Sequence, residues 1–383
     1  MTNMTPSAEL LAELIAIDSS NPDLVPGAAG ESRIADAVSE WLGQRGFEVH
    51  RLEETEGRPS VVAISRGTGG GRSLMLNGHL DTVTLAGYDG DPLKPVVKDG
   101  SMFGRGAFDM KSGLAAMMVA AADASVRPHA GDILLALVAD EEFGSAGTEE
   151  VLRRYRADAA IITEPSHLEV TLAHRGFAWF DVTVEGVAAH GSRPDLGVDA
   201  IAKAGYLLVG IDRWAAELAA GPAHPVLGTG SVHASVIRGG EELSSYPARC
   251  TVSIERRTVP GENADTVEQE LRGILDDIAA SQTDFRYTIS RGLERQPFQV
   301  DDTEPIVQTT LSVVERVTGR PAIRRGEPFW TDCALLAEAG IPCLLFGVDG
   351  GGAHAATEWV TLESLETVTR VLTDTITEFC GEA

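Results

Sequence analysis

Short continuous hydrophobic runs alternate with helical patterns in the first part of the chain. Runs of this length, bounded by turn residues, are typical of strands that are buried on both faces of a parallel sheet. The runs are residues 73–78, 132–139 and 159–163, and helices are expected near Pro6 or Ser7 and at about 111–125 and 148–156. The pattern returns late, with helices at about 304–318, 332–339 and 361–380 around a run at 342–347. We therefore predict an α/β domain with a doubly wound, mostly parallel sheet.

The hydrophobic pattern changes in the middle of the chain. Apolar and polar residues alternate there as they do in half-buried strands. Strands are predicted at 177–186, 231–240, 248–257 and 285–291, and helices at about 198–219 and 264–280. The order β-α-β-β-α-β is typical of a ferredoxin-like α+β domain. We therefore predict that residues 1–176 and 293–383 form the α/β domain and that 177–292 form an inserted one.

The net charge of the chain limits the classes of partner that it is expected to bind. The 383 residues carry a formal net charge of -26, because 57 Asp and Glu outnumber 31 Lys and Arg. Nucleic acids and anionic membranes would repel such a surface, so neither is an expected partner. Hydrophobic residues make up 43% of the chain, as in globular proteins.

Three features predict a cytoplasmic location. The N-terminal stretch contains Glu9 and Glu13 and has no basic residue before its apolar positions, unlike a signal peptide. No segment has the roughly 18 apolar residues that span a bilayer. Widely spaced cysteines without a CxxC pair favour free thiols in a reducing compartment. These are Cys250, Cys333, Cys343 and Cys380.

Candidate metal ligands gather where the predicted strands end. Open α/β sheets place their sites beyond the carboxyl ends of the strands. The residues that follow the hydrophobic runs are His79, Asp81, Asp140, Glu141, Glu142, Glu164 and His354, and Asp109 lies just before the predicted helix at 111. Imidazole and carboxylate are ordinary zinc ligands, and two ions about 3.5–4 Å apart need a bridging carboxylate. We therefore predict a two-metal hydrolytic site at this edge.

Local spacing suggests roles within the cluster. His79 and Asp81 lie at i and i+2, so Asp81 can accept the other imidazole N–H of His79 in an extended segment. Glu141 and Glu142 are adjacent and point in different directions, so one can bind metal while the other reaches a water molecule. The alternative is a buried hydrogen-bonded network without metal, but carboxylates packed so closely would repel one another strongly.

Six sequence motifs carry a family resemblance. They are NGHLDTV, GRGAFDMKSG, ADEEFGSAGTE, TEPS, EGVAAHGSRP and GAHAATEWV. In order and spacing they resemble the signature blocks of M20-type dinuclear zinc metallopeptidases, the family that includes acetylornithine deacetylase, succinyl-diaminopimelate desuccinylase, aminoacylase-1 and carboxypeptidase G2. The resemblance implies a hydrolase with two Zn²⁺ ions, for which Co²⁺ or Mn²⁺ can substitute. It also implies that the inserted domain is a lid that pairs two chains into a homodimer.

The resemblance also implies which residues bind the metal ions. His79 and Glu164 would hold one ion. Glu142 and His354 would hold the other. Asp109 would bridge both ions.

Further matches concern catalysis and substrate binding. Glu141 would be the general base, and Asp81 would orient His79. His190 would contact the scissile carbonyl, often across a dimer interface, and Arg257 would bind the carboxylate of the substrate. The sequence departs from many relatives at Ser244, where they have an asparagine.

Other interpretations of these residues stay open. His190 could be an ordinary loop histidine, and Arg257 could be one charge on a solvated strand face, with Arg256 as the alternative anchor. The histidines expected to be structural or exposed are His50, His129, His167, His174, His224 and His233. Trp330, Thr331 and Asp332 are candidate pocket residues by position alone.

Three functions fit these observations. The first is a deacylase of N-acyl amino acids, similar to acetylornithine deacetylase. The second is a carboxypeptidase or dipeptidase that acts on short peptides at the same site. In the family, Glu at the position of Glu164 accompanies deacylases and carboxypeptidases, whereas Asp accompanies aminopeptidases. The third is an inactive binding protein, which the complete ligand set and the presence of Glu141 disfavour.

Overall fold

The computed structural model describes residues 4–381, which form two compact units. The first unit consists of the described residues up to Leu172, Val300–Arg325 and those from Thr331 onward. The second unit consists of Ala173–Gln299 and Gly326–Trp330. The functional division into a catalytic domain and a lid stays a prediction.

The helices begin where local side chains favour them. Thr5, Asp199, Asn263 and Thr361 cap four helices by accepting hydrogen bonds from main-chain N–H groups of the first turn. The helices are α1 (Pro6–Ile15), α2 (Ser32–Gly43), α3 (Lys111–Ser125), α4 (Ala146–Arg154), α5 (Ala200–Ala220), α6 (Ala264–Ser281), α7 (Pro305–Thr318), α8 (Cys333–Glu338) and α9 (Leu362–Cys380). No described helix is both long and apolar enough to cross a bilayer.

The longest described strands are the four of the antiparallel sheet in the second unit, with nine or ten residues each. In chain order the strands are β1 (Glu48–Leu52), β2 (Ser60–Ser65), β3 (Leu74–His79), β4 (Val96–Lys98), β5 (Ser101–Phe103), β6 (Ile133–Val138), β7 (Ala159–Ile162), β8 (Val170–His174), β9 (Gly176–Glu185), β10 (Ser231–Gly239), β11 (Arg249–Thr258), β12 (Arg286–Arg295), β13 (Phe298–Gln299), β14 (Arg324–Glu327), β15 (Cys343–Leu345), β16 (Gly350–Gly351) and β17 (Trp359–Thr361).

The main sheet of the first unit is parallel in its centre. Its order is β1-β2-β6-β3-β7-β15-β8, and the neighbours from β6 to β15 run parallel. Every residue of β3, β6 and β7 is buried. Because successive side chains point to opposite faces, both faces of these strands are covered. The predicted α/β class is confirmed.

The sheet is more mixed than the sequence predicted. Strands β1, β2 and β6 pair antiparallel at one edge, and β15 pairs antiparallel with β8 at the other. The prediction of a mostly parallel sheet therefore holds for the centre only. Two groups of helices pack on this sheet. In one group α9 contacts α1, α3 and α7, and α1 also contacts α3; in the other α4 contacts α8, and α2 packs on β1 and β2.

The first unit also contains a small antiparallel sheet, which joins the segment after β5 to the segment before β17. Its order is β16-β17-β5-β4, and Trp359 of β17 pairs with Phe103 of β5. This pairing brings the segment that precedes β17 next to the segment that follows β5.

The second unit has the predicted β-α-β-β-α-β order. Its antiparallel sheet runs β10-β11-β9-β12. Alternate residues of β9 and β11 point into a core with α5 and α6, including Phe180, Val252 and Leu271. Strand β10 lies at the sheet edge, and its side chains are almost all exposed.

Candidate active site

The parallel strands deliver the predicted residues to one edge of the main sheet. His79 is the last residue of β3 and pairs with Val138 at the end of β6. Glu141 and Glu142 follow β6, and Glu164 follows β7 by two residues. Since parallel strands end at the same edge, these side chains gather at one place.

Asp109 lies between the two predicted histidines. Its Oδ1 is 3.1 Å from His79 Nε2, and its Oδ2 is 3.4 Å from His354 Nε2. The Nε2 atom of each imidazole also lies near a second carboxylate: Glu164 Oε1 is 3.2 Å from His79 Nε2, and Glu142 Oε2 is 3.0 Å from His354 Nε2. A carboxylate with one oxygen toward each histidine has the geometry of a bridging ligand.

The donor set fits divalent metal ions. The groups His79–Glu141–Glu164 and His79–Asp109–Glu142 each offer ligand atoms within 4.8 Å of one another, a spacing that could hold an ion. The Glu142 Oε1 atom is buried and accepts no hydrogen bond from any residue that the structure describes. An orphaned buried oxygen beside histidines and other carboxylates suits a metal ligand.

The pKa values of the clustered side chains also fit a metal site. Burial raises the pKa of Glu141 well above its ordinary value, raises that of Glu164 to about 7 and also raises that of Glu142. Hydrogen bonds to Asp109 and Glu142 raise the pKa of His354 to about 10. Burial thus disfavours the ionised form of the three glutamates, and a bound cation would stabilise that form.

Asp81 lies against both His79 and the segment after β6. His79 Nδ1 is 2.9 Å from the main-chain oxygen of Asp81 and 3.6 Å from the nearer carboxylate oxygen. The carboxylate instead accepts the main-chain N–H groups of Glu141 and Glu142, each at 3.2 Å. The carboxylate thus holds the segment after β6, and the main-chain oxygen of Asp81 lies closer to the imidazole than the carboxylate does; the role of Asp81 in orienting His79 stays a prediction.

A polar network behind this segment was not predicted. Asn21 Nδ2 donates to Asp81 Oδ2 at 2.8 Å and to Asp140 Oδ1 at 3.1 Å. Arg58 Nη2 also donates to Asp140 Oδ1, at 2.8 Å, and Arg58 pairs with buried Glu31. No local sequence signal marks these residues, because their contacts join segments far apart in the chain.

Three predicted residues lie in the second unit. His190 is exposed, and its Nδ1 accepts a hydrogen bond from the main-chain N–H of Ser192 at 3.2 Å. In the neutral imidazole this leaves Nε2 as the donor. The Ser244 main-chain oxygen accepts the Gly191 N–H at 2.7 Å, so Ser244 lies beside His190.

The structure separates the two candidate anchors on β11. The Arg256 side chain is completely buried and pairs with Glu262. Arg257 points to the opposite face, is 32% exposed and contacts Glu255 at 3.1 Å and the Phe177 ring at 5.4 Å. Arg257 is therefore the arginine that a ligand can reach.

Comparison with known proteins identifies the family. The model of peptidase family M20/M25/M40 matches residues 75–378. The chain therefore belongs to this family, as the motifs predicted. It is a hydrolase that acts on amide bonds.

Several relatives are similar over nearly their full length. The N-formyl-4-amino-5-aminomethyl-2-methylpyrimidine deformylase of Bacillus subtilis is 27% identical, covering 93% of this chain and 91% of the relative. The acetylornithine deacetylase of Myxococcus xanthus is 28% identical, covering 97% of both. A Staphylococcus aureus tripeptidase has the same fold, with a TM-score of 0.81, 22% identity and 99% coverage of both chains.

Proposed function

We propose that the protein is a metal-dependent deacylase that removes a short acyl group from the amine nitrogen of a small molecule, with N-acyl amino acids as its first candidate substrates. The gathering of His79, Asp109, Glu142, Glu164 and His354 around Glu141 carries this proposal. The relatives named as deacetylase and deformylase support deacylation as the reaction.

The proposed metal ligands follow the distances in the cluster. His79 and Glu164 would hold one ion, Glu142 and His354 the other, and Asp109 both. Nitrogen and carboxylate donors suit Zn²⁺, and Co²⁺ or Mn²⁺ accept the same donors. When bound, such ions activate water as a nucleophile and polarise the carbonyl group.

Glu141 is the proposed acid–base residue. It lies in the same cluster, with Oε2 4.0 Å from His79 Nε2, and its side chain is 13% exposed. The Asp81 carboxylate holds its main-chain N–H. Glu141 takes a proton from the attacking water and returns it to the leaving amine.

The second unit supplies the proposed contacts to substrate. The Nε2 of His190 is the available donor for the oxygen of the scissile carbonyl, where negative charge develops. Arg257 is the accessible cation for a substrate carboxylate, and the Ser244 hydroxyl is a further proposed contact. In this proposal, residues 177–292 act as a lid and residues 1–176 and 293–383 as the catalytic domain.

We also propose a homodimer in the cytoplasm. The exposed edge strand β10 carries Val236 and Ile237, 40% and 51% exposed, and α5 exposes Val209. An apolar strand edge of this kind is usually covered, and a second copy would cover it. The four free, buried cysteines fit a reducing compartment.

Two other classes of substrate are candidates. The Bacillus subtilis relative acts on a formylated aminomethylpyrimidine, so a heteroaromatic formamide is the second candidate. Short peptides are the third candidate, as substrates of a carboxypeptidase or dipeptidase. All three candidates share hydrolysis of one amide bond, so the same site serves each of them.

A substrate panel tests the proposal. Purified protein with added Zn²⁺ or Co²⁺ is assayed on N-acetyl amino acids, the formylated aminomethylpyrimidine and dipeptides. We expect the highest kcat/KM on an acyl amino acid and loss of activity after chelation. Protein that binds two ions but cleaves none of these compounds would instead be the inactive binding protein. Preference for dipeptides would replace deacylation by peptidase activity.

A further inference from the structure

A buried ion pair next to the candidate metal cluster has no part in the proposed chemistry. The Arg105 Nη1 atom is 2.8 Å from Glu358 Oε2, and the two residues are 2% and 1% exposed. Burying two charges is unfavourable unless further hydrogen bonds complete their shells. The remaining partners of this pair therefore show what it holds in place.

Glu358 holds the main chain of the loop that carries Asp109. Its Oε2 accepts the N–H of Gly106 at 3.0 Å. Its Oε1 accepts the N–H groups of Phe108 at 2.9 Å and Asp109 at 3.0 Å. One carboxylate thus fixes the backbone from which the Asp109 side chain projects.

Arg105 holds the loop that carries His354. Its Nη2 donates to the main-chain oxygen of Ala355, the residue after His354, at 3.0 Å. Its Nε donates to the main-chain oxygen of Thr84 at 3.1 Å. The pairing of β5 with β17 brings this arginine and Glu358 together.

We infer that Arg105 and Glu358 are positioning residues that hold Asp109 and His354 at the separation needed to share one metal ion. This inference rests on the proposed function. The Asp109 Oδ2 and His354 Nε2 atoms lie 3.4 Å apart on two different loops, and the ion pair is bonded to both loops.

The other proposed ion depends less on this pair. His79 is the last residue of β3, and Glu164 follows β7, so the hydrogen bonds of the main sheet position them. Asp109 is the one shared ligand. Loss of the ion pair should therefore weaken the ion at Glu142 and His354 more than the ion at His79 and Glu164.

Metal retention by Glu358→Gln tests the inference. Full-length protein loaded with Zn²⁺ is dialysed against graded chelator, and zinc per chain is measured together with the visible spectrum of Co²⁺-loaded protein. The amide keeps the size of the side chain but turns one acceptor into a donor that faces N–H groups. We expect one ion to be retained and the other to bind about 10- to 100-fold more weakly, the usual effect of losing an outer hydrogen-bond partner.

Arg105→Lys is the second variant. Lysine keeps the positive charge but cannot reach Glu358, Ala355 and Thr84 at once, so the same ion should weaken to a smaller extent. If Glu358→Gln does not fold, metal binding by Arg105→Lys tests whether the ion pair positions Asp109 and His354.

Glu262→Gln is the matched control. It removes the partner of buried Arg256 in the second unit, so it should lower stability while both ions stay bound as in the native protein. Native binding of both ions by folded Glu358→Gln or Arg105→Lys overturns the inference. Native protein that binds no metal would instead refute the proposed function.

Discussion

Glu141 and Glu142 are neighbours in sequence with different surroundings. Glu142 Oε2 lies 3.0 Å from His354 Nε2, whereas Glu141 Oε2 comes no closer than 4.0 Å to His79 Nε2. We therefore expect Glu141→Gln to keep its metal and to lose kcat by about 10²- to 10⁴-fold, the usual effect of losing an acid–base group. Glu142→Gln should lose metal. Elemental analysis and steady-state kinetics measure both effects, and exchanged phenotypes would reverse the two roles.

Arg256 and Arg257 provide a matched pair on opposite faces of one strand. Arg257→Ala should raise KM by about 10- to 100-fold for a substrate with a free carboxylate, because a charged hydrogen-bond partner contributes about 1.5–3 kcal/mol. Arg256→Met should instead lower the free energy of unfolding, by about 1.5–3 kcal/mol, because it removes the charged hydrogen-bond partner of the half-buried Glu262.

The carboxamide of the same substrate is the control for Arg257. Native enzyme should cleave it poorly, and Arg257→Ala should change that rate little. If the native enzyme cleaved the acid and the amide equally well, Arg257 would not bind the substrate carboxylate and would be an ordinary charged residue on an exposed strand face.

At the residue scale, the sequence predicts the candidate metal ligands better than it predicts the residues that hold those ligands in place. His79, Glu142 and Glu164 follow hydrophobic runs, and parallel strands bring such residues together by rule. Glu358 bonds to the main chain of Asp109 across 249 residues of sequence. A contact that depends on the meeting of two distant loops leaves no periodic signal.

Asn21 lies in the loop after α1 and connects this loop by hydrogen bonds to the segment after β6. Its amide donates to both Asp81 and Asp140, which hold this segment at two points. Asn21→Leu keeps a similar volume but removes both hydrogen bonds. We expect kcat to fall on the order of 10-fold or more, with KM nearly unchanged, because Glu141 loses its fixed position.

Ser20→Ala is the control for Asn21. The Ser20 hydroxyl donates to Asp18 at 2.8 Å and is equally buried in the same loop. Its loss should leave kcat near the native value. Equal losses in both variants would show that the loop acts only through general stability.

At the element scale, the sequence predicts eight of the nine described helices, whether or not a side chain caps them, but it does not predict helix α2. Asn263 and Thr266 form a capping box at the start of α6, which was predicted within a residue. Helix α2 has no side-chain cap, because Glu31 pairs with Arg58 instead. The sequence also gives no prediction for strands β1 and β2. Strand β1 is mostly polar and buries only Leu52, so it lacks the continuous apolar pattern that marks β3, β6 and β7.

At the scale of the whole molecule, the proposed homodimer makes a prediction about assembly. Edge strand β10 exposes Val236 and Ile237 in a single copy, and pairing with a second copy would bury them. Val236→Lys together with Ile237→Lys should therefore give a folded monomer in sedimentation experiments. A native protein that is monomeric at all concentrations would contradict the dimer.

The same dimer can show whether His190 acts in its own chain or in the partner. The Glu141→Ala and His190→Ala chains should each be inactive as homodimers. If His190 acts across the interface, a mixed dimer has one site with both residues intact, because the His190→Ala chain supplies Glu141 and the other chain supplies His190. Tagged chains purified as verified heterodimers should then recover up to about half of the native kcat per dimer. Recovery must track the fraction of heterodimer, since exchange of subunits is the only source of a complete site. No recovery in verified heterodimers would place His190 and Glu141 of one chain in the same site, and the dimer would then have no catalytic role.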